Sequence, residues 1–166
     1  FDGPSGPGNA EAEFVEVYND SGSSIDISGF TLTDGEGTVT VPAGTSIADG
    51  EHILFTRSQT LLQNEFDGTD FSGVTIIQWA GSIALSNGSD EVVFRDGSGD
   101  LVDAIGSGSN SEPPIGYPQL VEDAVGNSPE DAESWDRLNF DNSPSFPSDW
   151  RVNDSPSPGS ATGQVD

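Results

Sequence analysis

The sequence predicts an all-β sandwich or barrel. Short apolar stretches alternate with polar residues at a period of two. Turn-forming clusters separate them every 8–12 residues or so. Only one short segment keeps helical spacing.

The elements follow in order. Residues 1–12 (FDGPSGPGNAEA) are rich in Gly, Pro and acid and read as a loop. Residues 13–19 (EFVEVYN) alternate Phe14, Glu16 and Tyr18 against Val15 and Val17, a strand period. A turn over 19–22 leads into an extended run from Ile25 to Thr33, with a bulge or bend expected at Gly29. Asp34-Gly35-Glu36-Gly37 is a hairpin turn into Thr38–Val41, which stops at Pro42. Residues 51–56 (EHILFT) form the next strand. Leu61, Leu62 and Phe66 then suit one short helix within 58–66.

Asp67 to Gly73 is a loop. Residues 74–79 and 82–86 read as strands, followed by 91–95 and 100–105 on either side of an Asp96-Gly97-Ser98-Gly99 turn. Beyond 106 the chain becomes Ser, Gly, Pro and acid-rich. Residues 134–138 form a last strand. Residues 139–166 read as irregular, with Phe140, Phe146 and Trp150 available to pin them to the body. About eight short strands result, the count of a sandwich or barrel. The expectation is a single domain over 1–166, with its core in 13–106 and an irregular packed extension over 107–166.

Charge excludes more than it assigns. Twenty-nine acids face four cations, for a formal charge of −25. The cations are Arg57, Arg95, Arg137 and Arg151, and there is no Lys. Such a chain repels itself in dilute salt. At 1 M salt the Debye length is roughly 3 Å, and the repulsion is screened. The acids are spread among strand-like segments, which argues against a disordered acidic tail and for a salt-loving source. Nucleic acid is excluded as a direct partner because phosphate-neutralising residues are missing. Without Cys there is no disulfide or thiolate chemistry, and without Lys no Lys–Asn cross-link. No apolar run is long enough for a membrane helix, so no direct membrane insertion is expected.

Three stretches together resemble the lamin tail domain family. They are EFVEVYNDSGSSIDISGFTLTDGEGTVTVPAGTSIADGEHILFTR (13–57), ALSNGSDEVVFRDGSGDLVDAIG (84–106), and SWDRLNF with SDWRVNDSPSPGSATG within 134–163. The resemblance implies an immunoglobulin-like β-sandwich and a non-catalytic module of the kind found in secreted or surface proteins. It also implies an additional strand ahead of the Gly-rich loop at 2–9. The sequence opens at Phe1, so the first strand is expected to be missing and the sheet edge near Glu13–Asn19 to be open.

His52 is the only histidine and lacks the context of a catalytic triad. Close carboxylates, as in glycosidases, are expected by chance among 29 acids. Calcium is the more serious chemistry, since hard cations take carboxylates and carbonyls in Gly-rich loops. The candidate ligands are Asp67 and Asp70 in FDGTDF and Asp96 and Asp100 in RDGSGD; Asp2, Glu11 and Glu13 flank the first loop. Against calcium stands the plain reading of these loops as solvated turns. Glycan acceptors are expected at Asn19, Asn87 and Asn153, each in an N-x-Ser sequon. Trp79, Trp135 and Trp150, with Tyr18 and Tyr117, would either line a carbohydrate site or anchor core and tail.

The resulting expectation is a non-catalytic extracellular or cell-surface module of a halophile. It would serve as a filament or surface-matrix subunit, associating with itself or with other surface proteins by strand exchange. The alternative is an accessory binding domain of a larger secreted hydrolase or nuclease.

Overall fold

The computed structural model describes residues 12–86, 89–122, 133–140 and 144–159. Twelve strands and one α-helix lie within them: β1 Phe14–Tyr18, β2 Ile25–Asp26, β3 Thr31–Thr33, β4 Thr38–Thr40, β5 Ser46–Ile47, β6 His52–Thr56, α1 Gln59–Glu65, β7 Thr75–Gln78, β8 Asp90–Arg95, β9 Leu101–Ser107, β10 Gln119–Leu120, β11 Ser134–Arg137 and β12 Trp150–Asn153. Sheet one runs β1-β6-β7, and sheet two runs β10-β9-β8-β3-β4. Two short ladders, β2-β5 and β11-β12, complete the set. The pairs β6-β7 and β9-β10 are parallel, and the remaining pairs are antiparallel.

The core lies between the sheets. Ile53, Phe55 and Ile77 of sheet one meet Leu32, Val39 and Phe94 of sheet two, with Ile47 from β5 and Ile27, Val41, Trp79 and Ile83 from the connections. Val15 and Val17 pack against this cluster, as the period-two reading of β1 requires. A second cluster of Phe14, Leu54 and Leu62 forms on the other face of sheet one. Helix α1 covers it: the Ser58 hydroxyl caps the helix at Leu61 N–H, and fully buried Leu62 faces inward.

Three expectations need correction. Ile25–Thr33 is two strands in different ladders, because Gly29 at φ +78° sits in a tight turn closed by Phe30 N–H to Ile27 C=O. Residues 82–86 form no strand. Ala80 (φ +49°) and Gly81 (φ +87°) turn the chain out of β7. Afterwards its donors go to carboxylates: Ala84 N–H to Asp34 Oδ2 at 2.8 Å, and Ser86 N–H to Asp90 Oδ2 at 2.7 Å. The segment keeps the apolar alternation of a strand, with Ile83 buried, but not the ladder. The third correction concerns the extension, which is less irregular than expected. β10 joins sheet two, and β12 pairs with β11 over four residues.

Asp34 ties two of these features together. Its carboxylate is 1% exposed and also accepts Glu36 N–H and Gly37 N–H, at 3.1 and 2.6 Å. The β3–β4 turn and the 79–86 connection are thereby locked to each other. They approach so closely that a Cβ on Gly37 would lie 1.4 Å from the Ser82 carbonyl oxygen. Gly37→Ala must separate them and strain the Asp34 bonds. The expected loss is about 3 kcal/mol, read as a fall in melting temperature by circular dichroism. A melting temperature equal to that of the parent chain would contradict this packing.

Candidate functional site

Chemistry-bearing side chains gather on the outer face of sheet one. Register places Glu16 opposite Leu54 and Tyr18 opposite His52, so these four share one face. The Tyr18 ring lies 4.7 Å from the His52 imidazole, and Phe140 lies 5.1 Å from Tyr18. His52 Nε2 stands 3.6 Å from Glu16 Oε1. The other carboxylate oxygen, Oε2, accepts Gly159 N–H at 2.6 Å. Gly159 belongs to the segment after β12 and packs against Val74 and Leu54. Its φ of +75° suits glycine, and an added Cβ would lie 3.0 Å from Val74.

The electrostatics follow from burial. Desolvation pushes Glu16 from 4.5 up to about 7, and the Asp136 carboxylate on β11 adds to the rise. Desolvation holds His52 below its ordinary value, so it stays neutral near pH 7. At the far end of sheet two, burial raises Asp90 to about 6 despite N–H bonds from Ser86 and Glu91, with Asp34 and Glu36 adding like charge.

One cation fastens the β11-β12 ladder to the body. Arg137 Nη1 meets Asp103 Oδ2 on β9 at 2.8 Å, and Nε donates to Asn139 C=O. The guanidinium also lies 5.5 Å from the Phe140 ring and 5.9 Å from Trp150. Burial raises Asp103 even so, with Arg137 opposing. Trp135 Nε1 donates to Ser107 Oγ, and Trp150 Nε1 to Ser145 Oγ. With Trp79 buried between the sheets, all three tryptophans serve as anchors.

The candidate calcium ligands lie in two separate loops. Asp96 Oδ1 accepts Ser98 N–H and Asp100 N–H within the β8–β9 turn. Asp70 Oδ1 accepts Ser72 N–H, and its hydrogen bonds to Ser72 hold it below its ordinary value. Asp67 and Asp100 are exposed. Among the described residues no three His, Asp or Glu side chains converge as a metal-binding group. Asp2 and Glu11 lie outside the described residues, and Glu13 is buried.

The sequons fare differently from one another. Asn19 is 4% exposed, and its Nδ2 donates to Ser23 C=O and Ile47 C=O. Both bonds hold that nitrogen inside the fold as a clamp. Asn87 lies outside the described residues. Asn153 Nδ2 donates to Asp136 Oδ2 at 2.6 Å. β1 stands at the edge of sheet one, with β6 on its other side. Glu13 is 2% exposed, and Asn19 N–H and C=O extend the pairing on the β6 side by bonding to Glu51 and Gly50.

Glu16 and Arg137 escaped the sequence reading. The available signal was Glu16 itself, the lone acid within FVEVY, a strand otherwise apolar on both faces.

Two sheets packed over a shared core, with strands joined by tight turns, define an immunoglobulin-like β-sandwich. The chain belongs to the lamin tail domain family, whose model matches residues 2–109. Domains of this family are generally non-catalytic and mediate protein interactions. No curated protein matches the chain. The β10 strand and the β11-β12 ladder lie beyond the matched span.

Two outcomes are expected. Arg137→Ala leaves Asp103 unpaired and removes two ring contacts. Asp103 is 40% exposed, so the cost falls between exposed and buried pairs, at about 1–3 kcal/mol in urea unfolding. Stability also falls as pH rises from 5 to 8. Glu16, Asp90 and Asp103 bind protons more tightly folded than unfolded. The contribution of Glu16 and Asp90 is complete below the ordinary carboxylate range and is lost through about 6 to 7, and Asp103 acts in the same direction. Glu16 alone accounts for on the order of 3 kcal/mol. His52 works in the opposite direction below 6.5. Melting at fixed salt checks this, and a melting temperature that rises across the window contradicts it.

Proposed function

We propose that this chain is a non-catalytic binding module of an extracellular or cell-surface protein that works in concentrated salt. Its partners are further copies of itself or other proteins of the same surface. The family supplies the non-catalytic interaction role. The observation that carries the environment is the distribution of acid. Exposed carboxylates include Asp20, Asp26, Glu36, Asp49, Glu51, Glu65, Asp67, Asp70, Asp100, Glu112, Glu122 and Asp154. They occupy turns, strand margins and the end of α1 and are not gathered in one tail. Such a surface carries strong self-repulsion in dilute salt and little at molar salt.

The test has two arms. Melting temperature is expected to rise by roughly 10 °C or more between 0.2 and 3 M NaCl, as screening relieves the repulsion. A flat or falling response would remove the high-salt environment. Fractionation of the source cells is expected to place the protein in the envelope or the medium. Confinement to the cytoplasm would remove the surface role, and hydrolytic activity of the isolated chain would remove the non-catalytic one.

A further inference from the structure

The residues that follow β12 close over the outer face of sheet one. Pro158 is fully buried, and Gly159 runs so close to Val74 and Leu54 that an added Cβ would lie 3.0 and 3.7 Å from them, while its N–H reaches Glu16 on β1. The end of the segment 154–159, at Pro158 and Gly159, therefore bears on all three strands of the sheet or their immediate flanks. Glu16 lies beneath it, with a side chain 24% exposed.

We propose that residues 154–159 form a strap whose closure is governed by the protonation state of Glu16: closed when Glu16 carries its proton, released when it is ionised. The groups that face Glu16 come from three other elements. They include the His52 imidazole on β6, the Asp136 carboxylate on β11 and the Gly159 N–H of the strap, and the charge of the chain's amino terminus opposes that of Asp136. An ionised Glu16 under the closed strap trades water for one N–H donor, beside a second carboxylate. Lifting the strap restores the water. A protonated Glu16 carries no such desolvation cost, and its carbonyl oxygen still accepts Gly159 N–H.

The direction is set by the raised value of about 7 against 4.5. Closure is complete below the lower figure and is lost as pH rises through the higher. His52 is covered by Tyr18, with Phe140 beyond it. Both stand outside the strap, so the imidazole keeps its cover when the strap lifts. The Arg137–Asp103 pair holds the β11-β12 ladder in place independently. The device is thus a local opening and not unfolding.

The experiment is quench-flow hydrogen exchange on the full chain at fixed 3 M NaCl, corrected for the intrinsic pH dependence of exchange. Protection in the 154–159 peptide is expected to fall about thirtyfold between pH 5.5 and 8.5. Protection in the β8–β9 hairpin is expected to fall much less. In Glu16→Gln the 154–159 protection becomes independent of pH. An unchanged pH response in Glu16→Gln, or none in the parent chain, overturns the proposal. Asp136→Asn provides an independent check if Glu16→Gln fails to fold. Removing the like charge moves the midpoint of release to lower pH, and an unmoved midpoint overturns the proposal equally.

Discussion

The rest of the structure depends on the burial of β6 from both sides. Ile53, Leu54 and Phe55 are all 0% exposed. In an ordinary sandwich strand one face meets the core and the other meets water. Here Ile53 and Phe55 point into the inter-sheet core, while Leu54 points the opposite way. The outer face of sheet one must therefore be covered. Helix α1 covers it with Leu62, and the segment reaching Gly159 covers it at Leu54 and Val74. The short helix and the C-terminal segment are two solutions to one burial requirement.

That requirement creates the unusual chemistry. Glu16 sits opposite Leu54 in the register, so whatever shields the leucine also shields the carboxylate. Its high proton affinity is a by-product of apolar cover and needs no dedicated pocket. The lone histidine shares the face for the same reason, and burial keeps it neutral. Arg137 is the counterweight. Its pair with Asp103 and its two ring contacts hold the ladder that carries Asp136 and leads into the closing segment.

Much of the fold was legible in the sequence. Alternation in EFVEVYN, the Asp-Gly turn at 34–35 and the helical spacing of Leu61, Leu62 and Phe66 each named the right local structure. Even the two-sided burial had a signal, since Ile53-Leu54-Phe55 abandons alternation. Other features were illegible for a common reason: they are long-range. The alternation of 82–86 looked like a strand until Asp34 and Asp90 took its N–H groups. β12 shows as a strand only through its pairing with β11. The Asn19 sequon looked like a surface turn, but its amide reaches Ile47 across 28 residues. Glu16, His52, Asp136 and Gly159 come from four separate regions, and no local spacing links them.

The acids therefore fall into two populations governed by different physics. Exposed carboxylates such as Asp20, Asp49, Glu65 and Asp154 interact through water, and salt screens them within a few ångströms. Their mutual repulsion falls away as salt approaches the molar range. Glu16 and Asp90 are different, because what raises them is chiefly lost hydration, which mobile ions outside the fold do not replace. Concentrated salt relieves the first population and leaves the second responsive to protons. A chain with a formal charge of −25 can thus be indifferent to most of that charge and still depend on the few acids its fold has withdrawn from water. The net charge sets how the surface answers to salt, whereas the register of β1 on β6 determines which carboxylate answers to protons.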